Sequence, residues 1–267
     1  MSVTYRNAPL VELIAELRWV PFGMGQFNPV PGALMLQLPT SKDEEVFMHF
    51  AALAAKAGYG RLERLIPPGL PIPPQQAACR FRPTSPEKQS PLLQIGSGVF
   101  TANGMPPDYQ SWHSFVPRVS EGVEVLFNAY RGAGLNPPNI SEVLIRYVDV
   151  FEQRHMGGRS LQQFLRDVLG LRIELPKAIM SASSSEDAPV PTIQFQIPVR
   201  IGVMNVLMGL ASRPGPPAFG LDTSIIVQRE VGPDANAAIS ALTEAREIIH
   251  DMFRSLTTDI HGEMGPQ

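Results

Sequence analysis

Twenty-seven prolines in 267 residues, about twice the usual frequency, limit how long any regular element of this chain can run. Proline holds its own φ and has no N–H to donate, so it interrupts helices and the inner strands of sheets. Clusters at Pro67-Pro68-Gly69-Leu70-Pro71-Ile72-Pro73-Pro74, Pro137-Pro138 and Pro214-Gly215-Pro216-Pro217 therefore separate short elements by stiff connections. The first cluster has the composition of a polyproline ligand for an aromatic groove, but a rigid loop is the simpler reading.

Between these clusters the hydrophobic period identifies the elements. From Leu10 to Val20, Val11, Leu13, Ala15, Leu17 and Trp19 share one parity, while Glu12, Glu16 and Arg18 share the other with Ile14. That is the period of a half-buried strand. Ser41 to Ala57 has helical spacing, with a capping box at Ser41 and Glu44 and a stop at Gly58. Ala77–Arg82 alternates as a strand, with Arg80 and Arg82 outward. Pro91–Asn103 is expected to be a strand broken into a hairpin by Gly96 and Gly98. A helix over Val119–Tyr130, a strand over Val143–Phe151 and a short helix opened by Ser160 and Gln163 follow. Strands are then expected over Arg172–Ser181, Thr192–Val199, Ile201–Ser212 and Phe219–Arg229, with a loop over Ser181–Pro191. A long helix begins near Asp234.

Strand blocks interleaved with single helices define an α+β fold, with antiparallel sheets covered by helices and a long helix at the end. The order of elements suggests two related halves, residues 1–155 and 156–267. Hydrophobic residues make up 44% of the chain and charged ones 18%, enough apolar content to bury a core. The formal charge of −3 disfavours direct nucleic-acid binding through released counterions. Every apolar run is interrupted well short of a membrane span, and the one cysteine, Cys79, has no partner for an internal disulfide. A cytoplasmic protein that does not engage membranes is expected.

Motifs that carry chemistry are missing from the sequence. There is no phosphate-cradling loop with Lys-Ser/Thr, no G-x-G-x-x-G, no H-E-x-x-H and no paired cysteine motif. Gly96-Ser97-Gly98 lacks the glycine two residues to each side of the serine that a nucleophile elbow needs. Cys79 shares parity with Ala77 and Phe81, which marks a buried structural thiol. His49, His250 and His261 fit solvated helix faces, because their spacings do not converge on a metal. No catalytic residue, cofactor or metal is assigned.

Two features suggest binding instead. Asp108-Tyr109-Gln110-Ser111-Trp112-His113 gathers aromatic and polar groups in what reads as a loop before a helix, where Tyr109, Trp112 and His113 are candidates to anchor a partner or a ligand ring. The alternative is a lid whose aromatics plug the sheet edge. Charge is also uneven: Lys56–Lys88 carries a local +4, and the chain from Glu230 onward −5. Arg80 and Arg82 on one strand face suit an acidic partner or a phosphate, and opposed patches suit a homo-oligomer or a charged protein partner. Arg146, beside Tyr147, is a candidate to line a ligand pocket.

Asn7-Ala8-Pro9-Leu10-Val11-Glu12, the run Leu92-Leu93-Gln94-Ile95 with Asn103, Tyr109, Trp112 and Phe115, the strand Ile145-Arg146-Tyr147, and Phe253 through Thr257 and Thr258 to Met264-Gly265 together resemble a sporadically distributed, poorly characterised bacterial family of about this length. The proline-rich loops depart from its pattern. The resemblance implies a gene that travels, as defence and toxin–antitoxin genes do, and no residue role carries over with it. The expected function is a non-enzymatic interaction component, an accessory or neutralising protein whose partner is another protein encoded nearby. A small-molecule or nucleotide-sensing domain is the alternative. An enzyme built on Glu12, Glu16 and Arg18 ranks third.

Overall fold

The computed structural model describes residues 5–22, 41–172, 190–212 and 215–266, with the single positions 174, 176, 178 and 181. Its strands are β1 (Leu10–Arg18), β2 (Arg61–Arg64), β3 (Ala77–Arg82), β4 (Leu92–Gly96), β5 (Val99–Gly104), β6 (Glu142–Phe151), β7 (Ile193–Val199), β8 (Gly202–Leu210) and β9 (Phe219–Val227). Its helices are α1 (Ser41–Lys56), α2 (Trp112–Gly132), α3 (Leu161–Asp167), α4 (Ala235–Leu256) and the one-turn α5 (His261–Met264). The strands form one nine-stranded sheet in the order β2-β3-β4-β5-β1-β6-β9-β8-β7. Every pairing is antiparallel, which makes the fold α+β. Strands from before and after residue 155 join in one sheet, because β6 pairs with β9 from Val143↔Val227 to Phe151↔Phe219.

Alternation decides which side chains face the helices. In β1, Leu13, Ala15 and Leu17 are buried, as is Trp19 just beyond it, while Glu12, Ile14, Glu16 and Arg18 point to the opposite face and stay half exposed. Val11, expected on the buried side, is 48% exposed, where the register with β6 shifts between Leu10 and Glu12. α1 packs on α2, α2 on β5, and α4 on β6 and β9. Phe50 of α1 lies fully buried between Phe81 of β3 and Phe100 of β5, with ring centroids 5.0 and 6.1 Å away. Gly98 takes φ +80° in the turn of the β4–β5 hairpin, a conformation in which a side chain would be strained.

Three stretches differ from expectation. α2 starts seven residues earlier than its apolar stripe suggests, since Ser111 and Ser114 form a reciprocal capping box and Pro117 is accommodated inside the helix. β2, only four residues long, has no apolar alternation to announce it; it forms because β3 offers an unpaired edge. The capping role expected of Ser41 lies outside the described residues, as do five of the ten positions of the strand expected over Arg172–Ser181; the five described positions are not strand, and Ala178 and Ser181 among them are helical. α4 begins as expected, with Asp234 Oδ1 accepting from the Asn236 and Ala237 N–H groups.

Candidate protein-interaction surface

The six expected binding residues fall on two different sides of the sheet. Arg80, Arg82 and Arg146 project from the face opposite the helices. Trp112 is the first residue of α2 and is 8% exposed, packed against Phe115 at 6.1 Å between centroids. Tyr109 packs edge-on against the same phenylalanine at 5.6 Å. These two aromatics are thus part of the hydrophobic layer rather than a surface anchor, because the early start of α2 turns them inward. His113 alone of the three is exposed.

The opposite face, on which no helix packs among the described residues, is polar and its charges are matched. Arg80 Nη1 donates to Glu63 (3.1 Å) and its Nε to Gln94 (3.3 Å). Gln94 donates to Thr101 and Asn103, and Asn103 Nδ2 donates to Glu12 at 2.8 Å. One chain of hydrogen bonds therefore crosses β2, β3, β4, β5 and β1. Next to it Arg18 joins Glu16 to Glu142, and Arg146 grips Asp222 through both carboxylate oxygens, its Nε at 2.8 Å. That bidentate bond is the main reason the Arg146 guanidinium holds its proton more firmly than usual. Glu16 is pushed up by burial, and Arg18 pulls it back. Arg82 reaches Glu63 only at 3.9 Å.

The basic stretch is committed to internal contacts in the same way. Arg61 donates to the carbonyls of Pro83 and Lys88, each at 2.6 Å. Arg64 donates to Ile66 O and to Cys79 Sγ, pairs with Glu44 and lies 5.5 Å over the Phe47 ring. Four of the six cations of this stretch, Arg61, Arg64, Arg80 and Arg82, thus tie strands to one another, to a loop or to α1.

The helix side of β6 holds a polar cluster that sequence analysis did not single out. Tyr147, Asp149 and Thr223 face inward from β6 and β9, Arg246 and His250 come from α4, and Tyr109 approaches from the start of α2. Tyr147 interacts with both Tyr109 and Arg246. Burial pushes the Tyr109 phenol up to about 12 and Tyr147 well up. Asp149, 5% exposed, is raised to about 7 by desolvation, and the Asp222 carboxylate adds to the rise. His250 is lowered to about 4, first by burial and then by Arg246, so it is not the solvated histidine its sequence position suggests. Parity carried the missed signal: Tyr147 and Asp149 fall in step with Val143, Ile145 and Phe151, all buried.

The two ends of the sheet differ sharply. β2 closes one end with four residues, three of them charged: Arg61, Glu63 and Arg64. β7 closes the other with seven residues, Ile-Gln-Phe-Gln-Ile-Pro-Val, none charged, and β8 beside it carries no charge either. Phe195 and Ile197 are each 40% exposed, and Leu207 of β8 is 43% exposed. The bond from Ala211 N to Ala218 O shows that odd-numbered residues of β8 bond to β9. Even-numbered residues of β8 therefore bond to β7, whose pairs are Ile193↔Met208, Phe195↔Val206, Ile197↔Met204 and Val199↔Gly202. The backbone groups of Gln194, Gln196 and Pro198 are left pointing away from the sheet, and proline has no N–H to lose on that side.

Compared with family models, curated proteins and solved structures, the chain matches none. Among the described residues no group of acidic, histidine or cysteine side chains is arranged to hold a metal, and no helix is long and apolar enough to cross a membrane.

Proposed function

We propose that this chain is a protein-interaction component that docks a strand of its partner on the outer edge of β7. The observation that carries the reading is the uncharged, seven-residue terminal strand with Phe195 and Ile197 exposed. Sheet edges invite pairing, and folded proteins ordinarily blunt them with charge, shortness or a cover. β2 is blunted by charge and shortness; β7 has neither, and among the described residues its one blunting device is Pro198 near its end. Strand addition draws affinity from main-chain bonds and specificity from alternate side chains, and both are on offer at Gln194–Pro198. The carboxylates of the polar face are engaged by Asn103, Arg18 and Arg146, which argues for scaffolding rather than acid–base work. A partner encoded nearby, with this chain as its accessory or neutralising protein, fits the same edge.

The test is native mass spectrometry on protein purified from its own host, wild type beside Gln196→Pro. The variant removes an outward N–H and leaves the β7–β8 bonds in place. A companion chain, or a second copy, retained by the wild type and lost by the variant is the expected result. A bare single chain in both, or identical complexes in both, would refute the docking edge.

A further inference from the structure

We infer that the strand docked on β7 is β7 of a second copy, antiparallel to the first about a two-fold axis at Phe195. The inference rests on the proposed role of β7 as a docking edge and specifies its occupant.

Charge is the first argument. A partner chosen by electrostatic fit requires a charged edge to read, and Ile193–Val199 has none. Two copies of an uncharged strand meet without repulsion. Two charged β2 edges, with Arg61, Glu63 and Arg64 within four residues, have to be brought into one specific register to avoid it.

Hydrogen bonding and face select the register. Outward N–H groups stand at Gln194 and Gln196, with outward carbonyls on the same residues and on Pro198. With the axis at Phe195, Gln194 faces Gln196 of the second copy, and each such pair exchanges both of its bonds. Pro198 then faces Thr192 at the ladder's end, where its carbonyl accepts and its missing N–H costs an end bond rather than an inner one. Moving the axis to Gln196 sets Pro198 against Gln194 and forfeits a bond in each half. The Phe195 axis also keeps the pleat in step. Phe195 meets Phe195, and Ile193 meets Ile197, all on one face, while the glutamine side chains line the other. Phe195 would occupy a non-hydrogen-bonded pair, the kind in which facing side chains come closest. The half-exposed Phe195 and Ile197 are the side chains that such a dimer covers.

The experiment is sedimentation of the full chain produced alone, across a wide concentration range. The wild type is expected at twice the mass of a single chain. Gln196→Pro is expected to weaken self-association about tenfold or more with an unchanged circular-dichroism spectrum, because its N–H points away from β8. Phe195→Cys, with Cα atoms about 4.5 Å apart across the axis, lies in disulfide range and is expected to cross-link two copies on mild oxidation. Gln194→Cys, offset and on the other face, is not. A wild type that stays single at every concentration overturns the second copy. It leaves the docking edge to a companion chain, which the host purification tests separately. A dimer that persists undiminished in Gln196→Pro, or cross-links through Gln194→Cys and not Phe195→Cys, overturns the edge pairing.

Discussion

Replacing Asp149 by asparagine keeps the shape of the side chain and removes its ability to ionise inside the protein. In the fold its carboxyl is raised from an ordinary 3.8 to about 7, by burial first and by Asp222 second. The unfolded chain ionises at the ordinary value. Below pH 4 both states hold the proton and the residue does not affect stability through its charge. Between pH 4 and 7 the unfolded state gives up its proton while the fold retains it, so stability falls as pH rises; above about 7 the loss is complete. The interval is worth roughly 4 kcal/mol at most, a large part of the 5–15 kcal/mol or so that holds a typical domain together. Denaturant titrations of wild type and Asp149→Asn, at steps from pH 4 to pH 8.5, isolate the residue, because titrations common to both proteins cancel in the difference. The variant should gain on the wild type progressively to about pH 7 and hold a constant lead beyond it. A difference that does not vary with pH would refute the reasoning and show that Asp149 meets water or a donor in solution.

The remaining expectations concern the core. Phe50→Ala should lower stability by about 3–5 kcal/mol, since Phe81 and Phe100 close around a fully buried ring; a loss below about 1 kcal/mol in chemical denaturation would mean that α1 re-packs. Cys79 is buried, and burial raises its thiol although Arg64 Nη1 donates to the sulfur at 3.1 Å. It should react with a thiol reagent at pH 8 only as fast as the fold opens, and immediate labelling of the native protein would contradict that placement.

Period-two alternation made most of the sheet legible. Parity put Val11, Leu13, Ala15, Leu17 and Trp19 on one face, and all but Val11, beside an irregularity in the pairing with β6, are buried; the break at Gly96 and Gly98 gave the β4–β5 hairpin. Arg80 and Arg82 do share a face, but their partners could not be read from sequence, since Glu63 and Gln94 arrive from other strands. Trp112 was misplaced for a local reason. The helix was placed by its apolar stripe, which begins at Val119, whereas its true start is set by the capping pair at Ser111 and Ser114. The edge position of β7 was out of reach as well. Thr192–Val199 was recognisable as a strand, but whether a strand is central or terminal depends on which others pair with it, and that is a property of the whole topology.

That topology gives the charge pattern a different meaning from the one composition suggests. Opposed basic and acidic stretches look like complementary docking patches. Most of the basic one instead holds strands to one another and to α1, while in the acidic one Glu244 pairs with Arg200 and Arg229 beside the β7–β8 turn. Ion pairs this exposed contribute about 0–1 kcal/mol each, so they tune the surface more than they stabilise it. They also neutralise it, leaving little unmatched charge on the polar face to attract a partner. Among the described residues, what remains unmatched is backbone: the outward N–H and C=O groups of Gln194 and Gln196, beside two half-exposed apolar side chains. Binding at such an edge should depend weakly on salt, because it exchanges main-chain hydrogen bonds and apolar area rather than charge. Complexes that dissolve steeply between about 50 and 500 mM salt would point back to the arginines of the polar face.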